Sequence, residues 1–139
     1  MPFVSITRLR IRARRHMPSF LFYAMRSTRQ AKRAPGNMAL TLLRDSNRVF
    51  WTRTMWTDEA AMRAFMIAAA HRRVMPRLPV WCDEAAVAHW WQDGDAPPSW
   101  PEAHRRLHEV GRRSRVNEPS EAQRRFVYPV PDAELGSTE

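Results

Sequence analysis

Residues 37–65, Asn-Met-Ala-Leu-Thr-Leu-Leu-Arg-Asp-Ser-Asn-Arg-Val-Phe-Trp-Thr-Arg-Thr-Met-Trp-Thr-Asp-Glu-Ala-Ala-Met-Arg-Ala-Phe, decide the fold. Two strand-like runs, Met38–Leu43 and Arg48–Trp56, flank a polar turn at Asp45-Ser46-Asn47 and read as an antiparallel hairpin. A helix follows at once, with Thr57 as the expected N-cap and Asp58 and Glu59 set favourably against the helix dipole. Met62, Phe65, Met66 and Ala69 form its expected buried stripe, and Pro76 marks its end.

Matching halves lie on both sides. Pro2–Ala13 alternates as a strand, one face apolar throughout and the other turning basic at Arg8, Arg10 and Arg12. A helix opens near Pro18 and carries Phe20, Tyr23, Ala24, Ser27 and Ala31 at helical spacing, with Arg26, Arg29, Lys32 and Arg33 mostly outside. Pro35-Gly36 stops it. A fourth strand spans about Glu84–Trp91. The sum is an α+β, ferredoxin-like β-α-β-β-α-β unit with a four-stranded antiparallel sheet, over residues 1–93. Residues 94–139 form a C-terminal extension. It comprises a loop, a helix at about 100–110 begun by the capping box Ser99-Trp100-Pro101-Glu102 and ended by Gly111, and an irregular arm expected to be dispensable for folding.

The chain has 139 residues, an apolar fraction of 44%, six Trp and six Phe, enough for one domain with a real core. No apolar run is long enough for a transmembrane helix. Its net charge of +9 resides in the first third, since Asp45 is the first acid. That asymmetry points to nucleic acid or an acidic partner as one reading. All basic residues but Lys32 are Arg, however, which reads as compositional bias and a solvated face, so nucleic acid is not the expected partner. A single cysteine, Cys82, excludes an intramolecular disulfide and a cysteine-based zinc site and suits a reducing cytoplasm.

Both faces of the central strands are apolar. Val49, Trp51 and Met55 oppose Phe50 and Trp56, while Ala39 and Leu43 oppose Met38, Leu40 and Leu42. Two helices cover one face, so the other is expected to be closed by a second copy, giving a homodimer. The extension is the alternative cover, but it is short and polar for that task.

With Pro35-Gly36 before the second strand, Trp56 ending the third, and Asp58-Glu59-Ala60-Ala61-Met62-Arg63-Ala64-Phe65 opening the next helix, the chain resembles the antibiotic-biosynthesis-monooxygenase-like group of the dimeric α/β-barrel superfamily. Ala70-His71-Arg72-Arg73-Val74-Met75-Pro76 and Trp81-Cys82-Asp83-Glu84 are similar to an uncharacterised bacterial subgroup of it. The resemblance implies a range from cofactor-independent oxygenases acting on aromatic polyketides, through haem-degrading enzymes, to proteins without known activity. Many members carry a mid-helix histidine where Phe65 stands here. The haem ligand of the haem degraders falls at about Met75, with His71 one turn earlier, so haem ligation does not carry over and no cofactor is expected.

Four residues are candidates for a site. Trp51 and Arg53 share a strand face and suit an anionic aromatic ligand, through stacking and a charge-assisted bond, or equally a dimer interface. His89, among apolar strand residues, is a proton shuttle or a satisfied core histidine; His71 is a weaker candidate of the same kind. Cys82 between Trp81 and Asp83 reads as a structural thiol, and His104 and His108, at metal-ligand spacing without a third ligand, as a solvated helix face. The resulting expectation is a cofactor-independent monooxygenase on a small aromatic or isoprenoid-like substrate. A non-enzymatic small-ligand module and a basic binder of acidic partners are the alternatives.

Overall fold

The structure is a computed structural model that describes residues 1–132 and 137–138, apart from the side chains of residues 69–71 and 137–138. The chain runs β1 (Phe3–Ile11), a 3-10 turn, α1 (Met17–Arg33), β2 (Asn37–Arg44), β3 (Val49–Trp56), α2 (Glu59–Met66), α3 (Ala69–Val74), a second 3-10 turn, α4 (Leu78–Trp81), β4 (Cys82–Trp91), α5 (Trp100–Val110), β5 (Arg112–Arg113), α6 (Glu121–Arg125) and β6 (Ser137–Thr138). The sheet order is β5-β4-β1-β3-β2-β6. Its four long strands pair antiparallel in the order expected of the ferredoxin-like unit, and a two-residue strand from the extension adds to each edge. Such additions leave fewer unpaired backbone groups at a sheet edge.

The β2–β3 turn explains why β3 starts at Val49 rather than Arg48. Asn47 and Arg48 both adopt left-handed backbone, with φ of 61° and 62°. That pair of positive φ values matches the right-handed strand twist in a tight hairpin. Arg48 is held there by exchange with β1: its Nε donates to the Ile11 carbonyl at 2.9 Å, and its own carbonyl accepts from the Ile11 N–H at 3.0 Å.

Two further expectations are corrected. The N-cap of α2 is Asp58, whose side chain accepts from the Ala61 N–H, and not Thr57. The single helix expected between residues 58 and 75 is instead a series of short pieces, α2, α3, a 3-10 turn and α4. Pro76 and Pro79 fall in the first turns of the last two, where a missing N–H costs nothing. Among the described residues no helix is long and apolar enough to cross a membrane.

The sheet is sandwiched between two layers. Against one face, Phe20, Trp81 and Met62 from the helices pack on Phe3, Ile11, Phe50, Trp56 and Cys82. Against the other, Trp100, Ala103 and Leu107 of α5, together with Tyr128, pack on Val4, Ile6, Leu43, Val49, Trp51, Met55, Ala86, Ala88 and Trp90. The face expected to be open is therefore closed by the chain itself. The extension is neither too short nor too polar for the task, because a few large anchors do the covering. Residues 94–132 share a core with the β-α-β-β-α-β unit and do not form a detached arm.

Candidate functional site

The residues singled out from sequence do not converge. Trp51 and Arg53 lie on the sheet face beneath the extension, whereas His89 lies on the helix-covered face beside Phe3, with ring centroids 5.8 Å apart. Alternation along the strands separates them: odd positions of β3 face the extension, and odd positions of β4 face the helices. The side chain of His71, in α3, lies outside the described residues.

Trp51 and Arg53 are absorbed by packing. Trp51 is completely buried, edge-on to Trp100 at 6.4 Å. Arg53 donates from Nη1 to the Pro98 carbonyl at 2.6 Å and from Nη2 to Thr41 Oγ1 at 3.0 Å, and its guanidinium lies over the Trp100 ring. Planar donors and a cation–π face are what pin the loop before α5 to the sheet.

Of the arginines at the start of the chain, Arg8 is internal and Arg10 and Arg12 are partly exposed. Arg8, 2% exposed, pairs with Glu84 at 2.6 Å and lies 4.2 Å from the Tyr128 ring centroid. Arg10 pairs with Asp83 and Arg12 with Glu118. Their partners belong to the same chain. Gln123 accepts from the Ala85 N–H and donates to the Ala85 and Ser114 carbonyls, while the Tyr128 hydroxyl donates to its Oε1. Burial pushes the Tyr128 phenol up to about 12, which keeps it a donor.

His104 and His108 do not form a solvated face. His104 Nε2 lies 2.7 Å from the Tyr128 carbonyl, and His108 Nε2 accepts the Tyr128 N–H at 3.1 Å while its Nδ1 faces the His104 carbonyl at 2.8 Å. The two rings hold both backbone polar groups of the residue that seals the core. Cys82 is a structural thiol: burial, reinforced by Asp83, pushes it up to about 12, so it is not the thiolate a nucleophile requires. Among the described residues no three His, Cys, Asp or Glu side chains cluster as a metal site. His89 is half-buried, and desolvation, then Arg112 and Arg63, lower its pKa against a smaller opposing effect of Glu59.

A cavity lies elsewhere. An open groove of about 910 Å³ runs between α1 and α2. Arg26, Arg29, Gln30 and Arg33 line it from α1, and Ala60, Ala61, Ala64, Phe65 and Ala68 from the α2 side. Its volume is in the range of small-molecule sites, about 300–1,000 Å³. Gly36, with φ of +86°, closes one end; a Cβ there would stand 2.5 Å from Ala61 Cβ and 2.8 Å from Thr57 Oγ1. The absent side chain lets α2 approach the turn after α1. Phe65 stacks on Trp56 at 5.4 Å, which supports the apolar wall from beneath, and Gln30 Nε2 reaches the Phe65 carbonyl across the groove. Reading Arg26, Arg29 and Arg33 as merely outside missed this. The available signal was their common stripe together with the small residues at 60, 61, 64 and 68, and it needed knowledge that the two helices lie side by side.

The fold is shared with solved structures. A protein of Nitrosomonas europaea, provisionally described as an antibiotic biosynthesis monooxygenase, superposes with a TM-score of 0.59 at 16% identity, covering 66% of this chain and 89% of that one. SnoaB of Streptomyces nogalater, a cofactor-independent oxygenase, gives 0.56 at 18% identity, covering 70% and 98%. Rv0793 of Mycobacterium tuberculosis gives 0.63 at 10% identity, covering 69% and 99%. At such identities the likeness carries the fold and no activity. No curated protein matches the chain. A family known only as a domain of unknown function matches residues 6–131, which include the closing extension as well as the sheet and helices, and the chain belongs to that family, DUF3291.

Proposed function

We propose that this domain binds a small, largely apolar organic molecule in the groove between α1 and α2. The observation that carries this reading is the groove itself, with one wall of Ala60, Ala61, Ala64, Ala68 and Phe65 facing a row of arginines. Apolar cavities with a few convergent polar groups are the usual form of a ligand site. The test is a thermal-shift and NMR titration with a panel of aromatic and polyene compounds. Ligand-induced shifts confined to the groove are expected, and Ala64→Trp, which fills it, is expected to abolish them. Shifts elsewhere, or binding that survives the filled groove, would overturn the reading.

A second reading is a cofactor-independent monooxygenase acting on an aromatic or isoprenoid-like ligand held in the same place. It is favoured by the fold shared with SnoaB and is read out by ligand-dependent oxygen uptake. Trp51, Arg53 and His89 are not assigned to such chemistry, since two are committed to packing and the third faces the other side of the sheet. The reading as a basic binder of nucleic acid or acidic partners is weakened by the intrachain pairing of Arg8, Arg10 and Arg12. We likewise infer that a sheet-to-sheet homodimer is disfavoured while α5 and Tyr128 cover that face. The lone buried thiol of Cys82 supports a cytoplasmic setting.

A further inference from the structure

We infer that the ligand of the α1–α2 groove is an organic oxyanion, a carboxylate or phosphate ester on an apolar body, and that Arg29 and Arg33 receive its charge. The inference rests on the reading of the groove as a ligand site and adds the ligand's charge and orientation to it.

Arg29 and Arg33 are one helical turn apart on α1 and both line the groove, so a single oxyanion can meet two guanidinium groups. Their situation differs from that of seven other arginines in the chain. Arg8, Arg10, Arg12, Arg63, Arg105, Arg106 and Arg125 have carboxylate partners. Among the described residues, no carboxylate pairs with Arg29 or Arg33. The acid lining the groove, Asp58, is engaged in capping α2 through the Ala61 N–H at 2.8 Å. Arg26, farther from the Gly36 end, leans over the Phe22 ring at 5.6 Å. Arg29 and Arg33 thus bring two positive charges to the groove beside that of Arg26, in a third of the chain whose first acid is Asp45. The opposite wall offers alanines and Phe65, which would not solvate a ligand charged along its whole length. Charge at one edge and an apolar body at the other are the complementary shape.

Matched probes test it. In calorimetric titrations of the full chain, 2-naphthoate is expected to bind about tenfold more tightly than the uncharged 2-naphthamide, an advantage that shrinks as salt is raised. Naphthyl phosphate in a parallel titration distinguishes carboxylate from phosphate preference. The double variant Arg29→Gln/Arg33→Gln is expected to erase the advantage, so that the two probes bind it about equally. Either single variant, checked for an unaltered melting curve, should lose part of it. Equal affinity of the two probes for the wild type would overturn the oxyanion assignment and leave the groove reading standing. An advantage that persists in the double variant would overturn the assignment to these arginines. If neither probe binds, both readings fall together.

Discussion

The Arg53 guanidinium carbon lies 4.6 Å from the ring centroid of Trp100, and its Nη1 donates to the carbonyl of Pro98, so a residue of β3 grips the entrance of α5. This is a fastening between the β-α-β-β-α-β unit and its extension. Arg53→Ala is expected to cost about 3 kcal/mol, because it leaves the Pro98 carbonyl and Thr41 hydroxyl without their charged donor. Arg53→Lys should recover little, since one ammonium cannot reproduce two diverging donors and a flat face. Urea unfolding of both variants measures this; a functional Arg53 would instead leave the midpoint unchanged.

Removal of residues 112–139 should not leave an intact domain. Tyr128 and Gln123 are buried, and together with the His104 and His108 rings they close the core. The truncated chain is expected to lose cooperative thermal unfolding. A milder form of the experiment separates the contributions. Tyr128→Phe should cost about 1 kcal/mol through one hydrogen bond, whereas Tyr128→Ala should cost about 3–5 kcal/mol through the cavity it opens.

Met55, 1% exposed beneath the extension, distinguishes a closed sheet from a paired one. Were the face a dimer interface, Met55→Glu would yield folded monomers. With the face closed internally, the substitution buries an unpaired carboxylate and should lower the melting temperature sharply. Light scattering on the wild type at micromolar concentration is expected to give a mass near the 16.3 kDa of one chain. Twice that mass would restore a second copy as a partner, through a surface other than this one.

His89 gives a pH signature. Its pKa is lowered in the fold, first by desolvation and then by Arg112 and Arg63, so the unfolded chain binds its proton more readily. Its neutral form is compatible with full stability above the unfolded value of about 6.5, and stability is lost as pH falls from there through the lowered folded value. Replacement by Gln should flatten the decline in melting temperature between neutral and mildly acidic pH. An unchanged slope would show that other groups govern the decline.

Much of the architecture was legible from local rules. The polar turn at 45–47, the cap at Ser99 and the alternation in β1 and β3 each depend on neighbours in sequence, and they placed the four long strands and α5 correctly. The closing layer was not legible, because it uses few anchors spread over a long stretch. Trp100, Ala103 and Leu107 lie within two helical turns, but Tyr128 stands 21 residues beyond Leu107 among arginines and prolines. Polar residues misled in the same way. Arg8, Arg53, Glu84 and Gln123 are polar or charged, yet each is buried with partners supplied by distant segments. Pattern reasoning assigns a charge to solvent unless a partner is visible nearby. Here the partner of Arg8 is 76 residues away.

The contact of Arg8 with Tyr128 also sets an order of events in biosynthesis. β1 is a central strand, flanked by β3 on one side and β4 on the other, and its Arg8 lies under the Tyr128 ring. A strand made among the first residues thus waits for residue 128 before its cover is complete. Contacts this far apart in sequence are slow to close. During translation the nascent chain carries Val4, Ile6 and Trp51 with their cover incomplete until Tyr128 joins Trp100, Ala103 and Leu107, an interval in which apolar surface is open to a chaperone.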